Sequence, residues 1–139
     1  MAGLVLDASV AVAACLPDEA GSGAALEVIL RAEAEGAVAP AIWPTEVANA
    51  LLMAMRRRQR GLPEVRRALG HLRALDVAIA PGLPADLWQG PVTLAVRHRL
   101  SVYDATYLDL AISLGLPLAT LDTALRRAAA EEGVAVLPA

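Results

Sequence analysis

Four carboxylates stand out by position: Asp7 after the apolar run Leu4 to Leu6, Glu46 just after Pro44, Asp104 in SVYDATYLDLA, and Asp122 in LATLD. Each falls where a helix is about to begin. Brought to one point, four acids repel one another and raise each other's pKa, a penalty that a divalent cation removes. With oxygen ligands alone the suitable ions are Mg²⁺ and Mn²⁺. Such a centre polarises a phosphodiester, activates water and stabilises the leaving oxygen, so no side-chain nucleophile is needed. None is evident here. Ser9 and Ser101 have no clear His partner, and Cys15 lies in an apolar stretch where a free thiol is usually inert. His71 and His98 lack the paired spacing of a zinc site and read as surface or partly buried helix residues.

Each acid also has a plain structural explanation. Asp7 and Asp122 suit helix caps. Glu46 sits in a first turn, where a carboxylate favours the helix dipole, and Ser101-Val-Tyr-Asp104 matches a capping box. Topology is what favours convergence. Strand patterns at Leu4 to Leu6, Val38 to Ala41, Val77 to Ala80, Pro117 to Leu121 and Val134 to Leu137 alternate with helical ones, and no Asn-Gly or Asp-Gly hairpin signal appears. That predicts an α/β chain with a mainly parallel, roughly five-stranded sheet. In such a sheet ligands bind at the carboxyl edge of the strands. Asp7 ends the first strand, Glu46 follows the second, Asp122 ends the fourth, and Asp104 opens the helix leading into the fourth.

The predicted helices are Ala8 to Leu16, ended by Pro17; Glu19 to Glu35, with Leu26, Ile29, Leu30 and Ala34 as its apolar stripe and Gly36 as its stop; and a long one from Trp43, whose stripe is Val47, Ala50, Leu51, Ala54 and Met55. Glu64 to Leu75 follows, then Ala85 to Leu100, kinked or split by Pro91, Tyr103 to Leu114, and Asp122 to Glu132. Asp109 lies about 140° around its helix from Asp104 and reads as a solvent or supporting residue. Tyr103, Tyr107, Leu110 and Leu114 read as core or dimer contact in preference to a base-stacking platform.

At 139 residues the chain suits a single domain, 1–139, able to bury a core without staples. All 12 basic residues are Arg, which excludes a P-loop and any Lys nucleophile. The net charge of −3 gives no global pull on nucleic acid, but Arg56, Arg57, Arg58 and Arg60 form a local basic group. No apolar run approaches the roughly 18 residues of a membrane span. The N-terminus lacks a basic leader and Asp7 interrupts its apolar run, so a signal peptide is not expected. The lone Cys15 points to a reducing compartment, the cytoplasm.

The segments VLDAS, PTEVANALL, SVYDATYLDLA and LATLD, in that order, resemble those of PIN-domain nucleases, and more narrowly the VapC-type toxins of bacterial type II toxin–antitoxin modules. The resemblance runs from Leu4 to Val136. It implies a three-layer α/β/α fold and a Mg²⁺-dependent endoribonuclease, with Mn²⁺ as a substitute, in which Asp7, Glu46, Asp104 and Asp122 bind the metal and the activated water. It gives Ser9 and Thr120 a part in holding the acids, and Asn49, a turn after Glu46, fits a supporting role. It also implies an RNA substrate, a homodimer, and a cognate antitoxin lying across the active-site groove. The helices Glu19 to Glu35 and Trp43 to Met55 could supply that groove. Arg56, Arg57, Arg58 and Arg60 could track RNA phosphates or pair with acidic antitoxin residues.

Other readings are an inert PIN-like module that binds RNA or protein, and a metal-dependent nuclease, of RNA or DNA, outside any toxin–antitoxin system. A phosphoaspartyl hydrolase or receiver domain fits poorly. The hydrolase wants Asp-x-Asp where Asp7-Ala-Ser9 offers one acid, and both depend on a Lys that is absent.

Overall fold

The computed structural model describes residues 2–139. Its elements run β1 (Leu4–Leu6), α1 (Ala8–Ala14), α2 (Ser22–Glu35), β2 (Ala37–Pro40), α3 (Trp43–Arg57), α4 (Leu62–Ala74), β3 (Ala78–Ala80), α5 (Pro84–Leu87), α6 (Gly90–His98), α7 (Val102–Leu114), β4 (Leu118–Ala119), α8 (Thr123–Glu131) and β5 (Val136–Leu137). The sheet has five strands in the order β3-β2-β1-β4-β5, all pairings parallel. This is the α/β architecture that the alternating patterns predict.

The strand order dictates where the helices go. From β1 the chain steps outward to β2 and β3, then returns across the sheet to β4 and steps outward to β5. With right-handed crossovers, the outward steps put α1 to α4 on one face and the opposite steps put α5 to α8 on the other. The packing agrees: α1 contacts α2 and α3, α3 contacts α4, and separately α6 and α8 flank α7. Leu4, Val5 and Leu6 of the central strand are fully buried, each worth about 1.5–3 kcal/mol of burial. Leu118 and Ala119 of β4 are equally enclosed.

Local signals account for the helix ends. Gly36, at φ +83°, and Gly115, at φ +66°, close α2 and α7 in backbone regions that favour glycine. The helical stretch expected to be kinked or split by Pro91 is split, into α5 and α6. The first of these ends at Leu87, whose carbonyl is the one a proline at 91 cannot bond, and Pro91 sits in the first turn of α6, where its missing N–H costs nothing.

Several expectations need correction. The second helix starts at Ser22, not Glu19, because the chain turns through Gly21 at φ +82°. Its buried face is Ser22, Ala25, Val28 and Ala32, while Leu26, Leu30 and Ala34 are exposed and Ile29 is half-buried. The helix is so rich in Ala and Leu that two faces satisfy a helical apolar pattern, and small residues win the side facing α1. The stripe of α3 holds at Val47, Leu51, Ala54 and Met55, with Ala50 half-buried. On α7 the expected stripe divides: Tyr107 is fully buried, whereas Tyr103 and Leu114 are exposed. Among the described residues no helix is long and apolar enough to cross a membrane.

Candidate active site

The register of the two central strands builds the site. Leu6 lies opposite Ala119, so the next residues along, Asp7 and Thr120, leave the carboxyl edge side by side. This edge between β1 and β4 is where the strand order reverses, the position at which open parallel sheets form a crevice. Asp7 is buried, with 6% of its surface exposed. Its Oδ2 accepts from Thr120 Oγ1 at 2.6 Å and from Ser9 Oγ at 2.7 Å. The two hydroxyls are fixed in turn, since Ser9 Oγ accepts from the Leu121 N–H and Thr120 Oγ1 from the Asp122 N–H. Burial pushes the Asp7 carboxyl above its usual range, against the lowering effect of both hydroxyls.

The other three acids enter from helix starts. Asp122 is the N-cap of α8 and its Oδ1 accepts from the Leu125 N–H at 2.9 Å. Glu46 stands in the first turn of α3. Its Oε1 accepts from the Tyr107 hydroxyl at 2.6 Å, a bond that joins helices from the two faces of the sheet. Burial is the main cause raising the Glu46 pKa, with a lesser push from Asp7. Burial and the Glu46 carboxylate raise Tyr107 well above the tyrosine range, so its hydroxyl stays a donor.

Asp104 follows Ser101, the N-cap of α7, whose Oγ accepts from the Asp104 N–H at 3.1 Å. The hydrogen bonds among the described residues do not include the reciprocal one, from the Ser101 N–H to the Asp104 carboxylate. Only half of the expected capping box therefore forms. The Asp104 pKa is pushed up to about 6, first by burial and then by the charges of Asp122, Asp7 and Glu46.

All four acids line one cleft of about 560 Å³, together with Ser9, Asn49 and Arg57. Among the described residues no group of three or more His, Cys, Asp or Glu side chains lies close enough to hold a metal ion. The donor chemistry nonetheless suits Mg²⁺ or Mn²⁺. All the ligands are oxygens, and Asp104 is strained by three neighbouring negative charges that a cation would offset. A Mg²⁺ ion commonly takes one or two carboxylates, keeps several waters and completes its shell with substrate phosphate, so a ready-made cage is not required.

The arginines divide. Arg57 lines the cleft, and Arg56 and Arg60 are exposed. Arg58 turns away to Asp18 at 3.2 Å and Glu19 at 2.9 Å and also donates to the Ala54 carbonyl. Asp109 lies outside the cleft. It lines a separate cavity of about 730 Å³ with Asp86 and Tyr103, and its carboxylate sits so close to Gly90 that any Cβ there would collide with it. His98 is tied to Glu131 and Glu132, His71 is exposed, and burial raises the half-buried Cys15 thiol. The residue that the sequence pattern missed is Tyr107, which read as core or dimer contact. Its fully buried ring does belong to the core, but its hydroxyl reaches the site.

The family model described as PIN domain matches residues 4–131. A VapC ribonuclease of Mycobacterium bovis is 36% identical over 121 residues, spanning 86% of this chain and 85% of the relative. Ribonuclease VapC9 of Mycobacterium tuberculosis matches to the same extent. Among solved structures, PAE2754 from Pyrobaculum aerophilum aligns with a TM-score of 0.70 at 24% identity, covering 98% of this chain and 90% of that one. VapC20 of Mycobacterium tuberculosis, described as a Sarcin-Ricin loop cleaving toxin, aligns at 0.67 with 19% identity, covering 90% and 94%. At these identities the two structures speak for the fold.

Proposed function

Because the chain belongs to the PIN-domain family, we propose that it is a Mg²⁺-dependent endoribonuclease, a single domain acting as the toxin of a toxin–antitoxin pair. The observation that carries the reading is the convergence of Asp7, Glu46, Asp104 and Asp122 on one cleft at the switch point of the sheet. The 36% identity to VapC ribonucleases over most of the chain supports RNA as substrate.

In this reading Asp7, Glu46, Asp104 and Asp122 would hold Mg²⁺, or Mn²⁺ in its place, in part through the waters of the ion. When bound, the cation supplies Lewis-acid stabilisation of the phosphodiester and acidity for the attacking water. The chain does the positioning. Ser9 and Thr120 lock the Asp7 carboxylate through one oxygen, the Leu125 N–H fixes Asp122, and Asn49 stands on the same wall. Arg57 on that wall pairs with a phosphate of the bound strand, a task for which its planar fork is suited. Arg56 and Arg60, both exposed, can extend the contact along RNA or an acidic antitoxin segment; Arg58, engaged by Asp18 and Glu19, contributes least.

Two apolar surfaces support the partners. Trp88, Val92 and Val96 are exposed at four-residue intervals along the α5–α6 segment, and Val102 and Tyr103 are exposed on α7, a face suited to a homodimer. Leu26 and Leu30 on α2 and Met53 on α3 are exposed too, and Met53 reaches the acid cleft. An antitoxin segment seated there would lie across the acids. The proposed compartment is the cytoplasm, in keeping with the unpaired Cys15.

The test is cleavage of structured RNA by the purified chain in Mg²⁺ or EDTA, with Asp104→Asn alongside. Mg²⁺-dependent cutting that the variant loses is the expected result. A variant that cuts at the wild-type rate would remove Asp104 from the site. Absence of both cutting and Mn²⁺ binding in the wild type would favour an inert binding module.

A further inference from the structure

We infer that Tyr107 is a positioning residue of the acid cleft, holding the Glu46 carboxylate in the orientation from which it binds a divalent cation; this rests on the metal-dependent reading above. Glu46 has the longest side chain of the four acids and the most torsional freedom to lose. Asp7 is held by two hydroxyls and Asp122 by a backbone N–H, whereas the only side-chain hydrogen bond found for Glu46 among the described residues is the one from Tyr107, at 2.6 Å. The tyrosine suits that task because its ring is fully buried in the core of α7 and cannot follow the glutamate if it swings. The donor is rigid and it engages one oxygen, Oε1. Oε2 is left for the cation, the division seen where an outer partner orients a ligating carboxylate.

The competing account is that a buried tyrosine merely needs an acceptor for its hydroxyl and finds Glu46. The two accounts differ in what removal of the hydroxyl does. Tyr107→Phe keeps the ring that fills the core, so the variant folds, as circular dichroism would verify. If the hydroxyl only satisfies itself, Mn²⁺ affinity stays at the wild-type value. If it positions Glu46, affinity falls by about 10–100-fold, the usual cost of losing a partner of a metal ligand.

The experiment is calorimetric titration of Mn²⁺ into the full chain as wild type, Tyr107→Phe, Glu46→Gln, the double variant and Asp104→Asn. Tyr103→Phe, which removes an exposed hydroxyl one turn earlier on α7, is the control expected to bind as wild type does. Tyr107→Phe should weaken binding alone and add nothing in the Glu46→Gln background. Unchanged or tighter binding by Tyr107→Phe, or a loss fully additive to that of Glu46→Gln, would overturn the inference. The two failures are separable. A wild type that binds no Mn²⁺, or an Asp104→Asn that binds it as tightly as wild type, defeats the carboxylate–cation reading and this inference with it. Loss in Asp104→Asn with none in Tyr107→Phe defeats the inference about Tyr107 alone.

Discussion

Asp104→Asn should make the metal-free protein more stable at neutral pH. The folded Asp104 titrates near 6 against an ordinary 3.8, because burial and then the charges of Asp122, Asp7 and Glu46 oppose its ionisation. Between those two values the native state holds more of the proton than the unfolded chain, so stability falls as pH rises through the window. At about 1.4 kcal/mol per pH unit, the full penalty above pH 6 would be about 3 kcal/mol. Asp104 is only half-buried, and solvent screening should remove at least half of that. Asparagine also gives up the attraction of a first-turn carboxylate for the dipole of α7, about 0.3–1 kcal/mol. The net gain is therefore about 1 kcal/mol at pH 8, or about 3–4 °C in Tm for a chain of this size. Thermal melts of both proteins in EDTA at low salt, from pH 4 to pH 8, measure it. The gap should close towards pH 4, where the folded carboxyl is already protonated. It should reverse with Mn²⁺, because ligand at 100 times its Kd stabilises the protein that binds it by about 2.7 kcal/mol. An Asn variant that melts lower at pH 8 without metal, or a gap independent of pH, would refute the electrostatic account of the cleft.

Asp7→Asn should abolish RNA cleavage, losing more than the roughly 10–100-fold typical of a supporting partner, while its circular dichroism spectrum stays native; cutting within tenfold of wild type would remove Asp7 from the machinery. Ser101→Ala deletes the cap on the Asp104 N–H and should cost about 0.5–2 kcal/mol by urea unfolding, so an unchanged midpoint would contradict that role. Arg57→Ala should lower the slope of log affinity for single-stranded RNA against log salt by about 0.7, the release of one counterion. Arg58→Ala, already paired with Asp18 and Glu19, should leave that slope unchanged in the same filter-binding series.

The sequence posed capping and a place in a shared site as alternatives for each acid, and in the structure a helix start and the cleft wall coincide. Helices of a parallel α/β chain begin at the carboxyl edge of the sheet, so a helix start and a cleft wall are the same place. Asp122 caps α8 through Oδ1 and lines the cleft as well. Asp104 receives the Ser101 cap on its N–H, yet among the described residues the Ser101 N–H does not donate back to its carboxylate. Asp7 occupies the N-cap position of α1 without capping it, because Ser9 and Thr120 engage its carboxylate. Local pattern was enough to place these acids at one edge of the sheet, since the strand ends and helix starts are written in the chain. It was not enough for Leu26 and Leu30, where an Ala- and Leu-rich helix offers two apolar faces and only the neighbouring helix selects one. Nor was it enough for Tyr107. The phenol sits 61 residues from Glu46, on the opposite helical layer, at a spacing that reads as core and is core. A side chain whose ring belongs to the interior and whose last atom belongs to the cleft leaves no periodic trace of its second role.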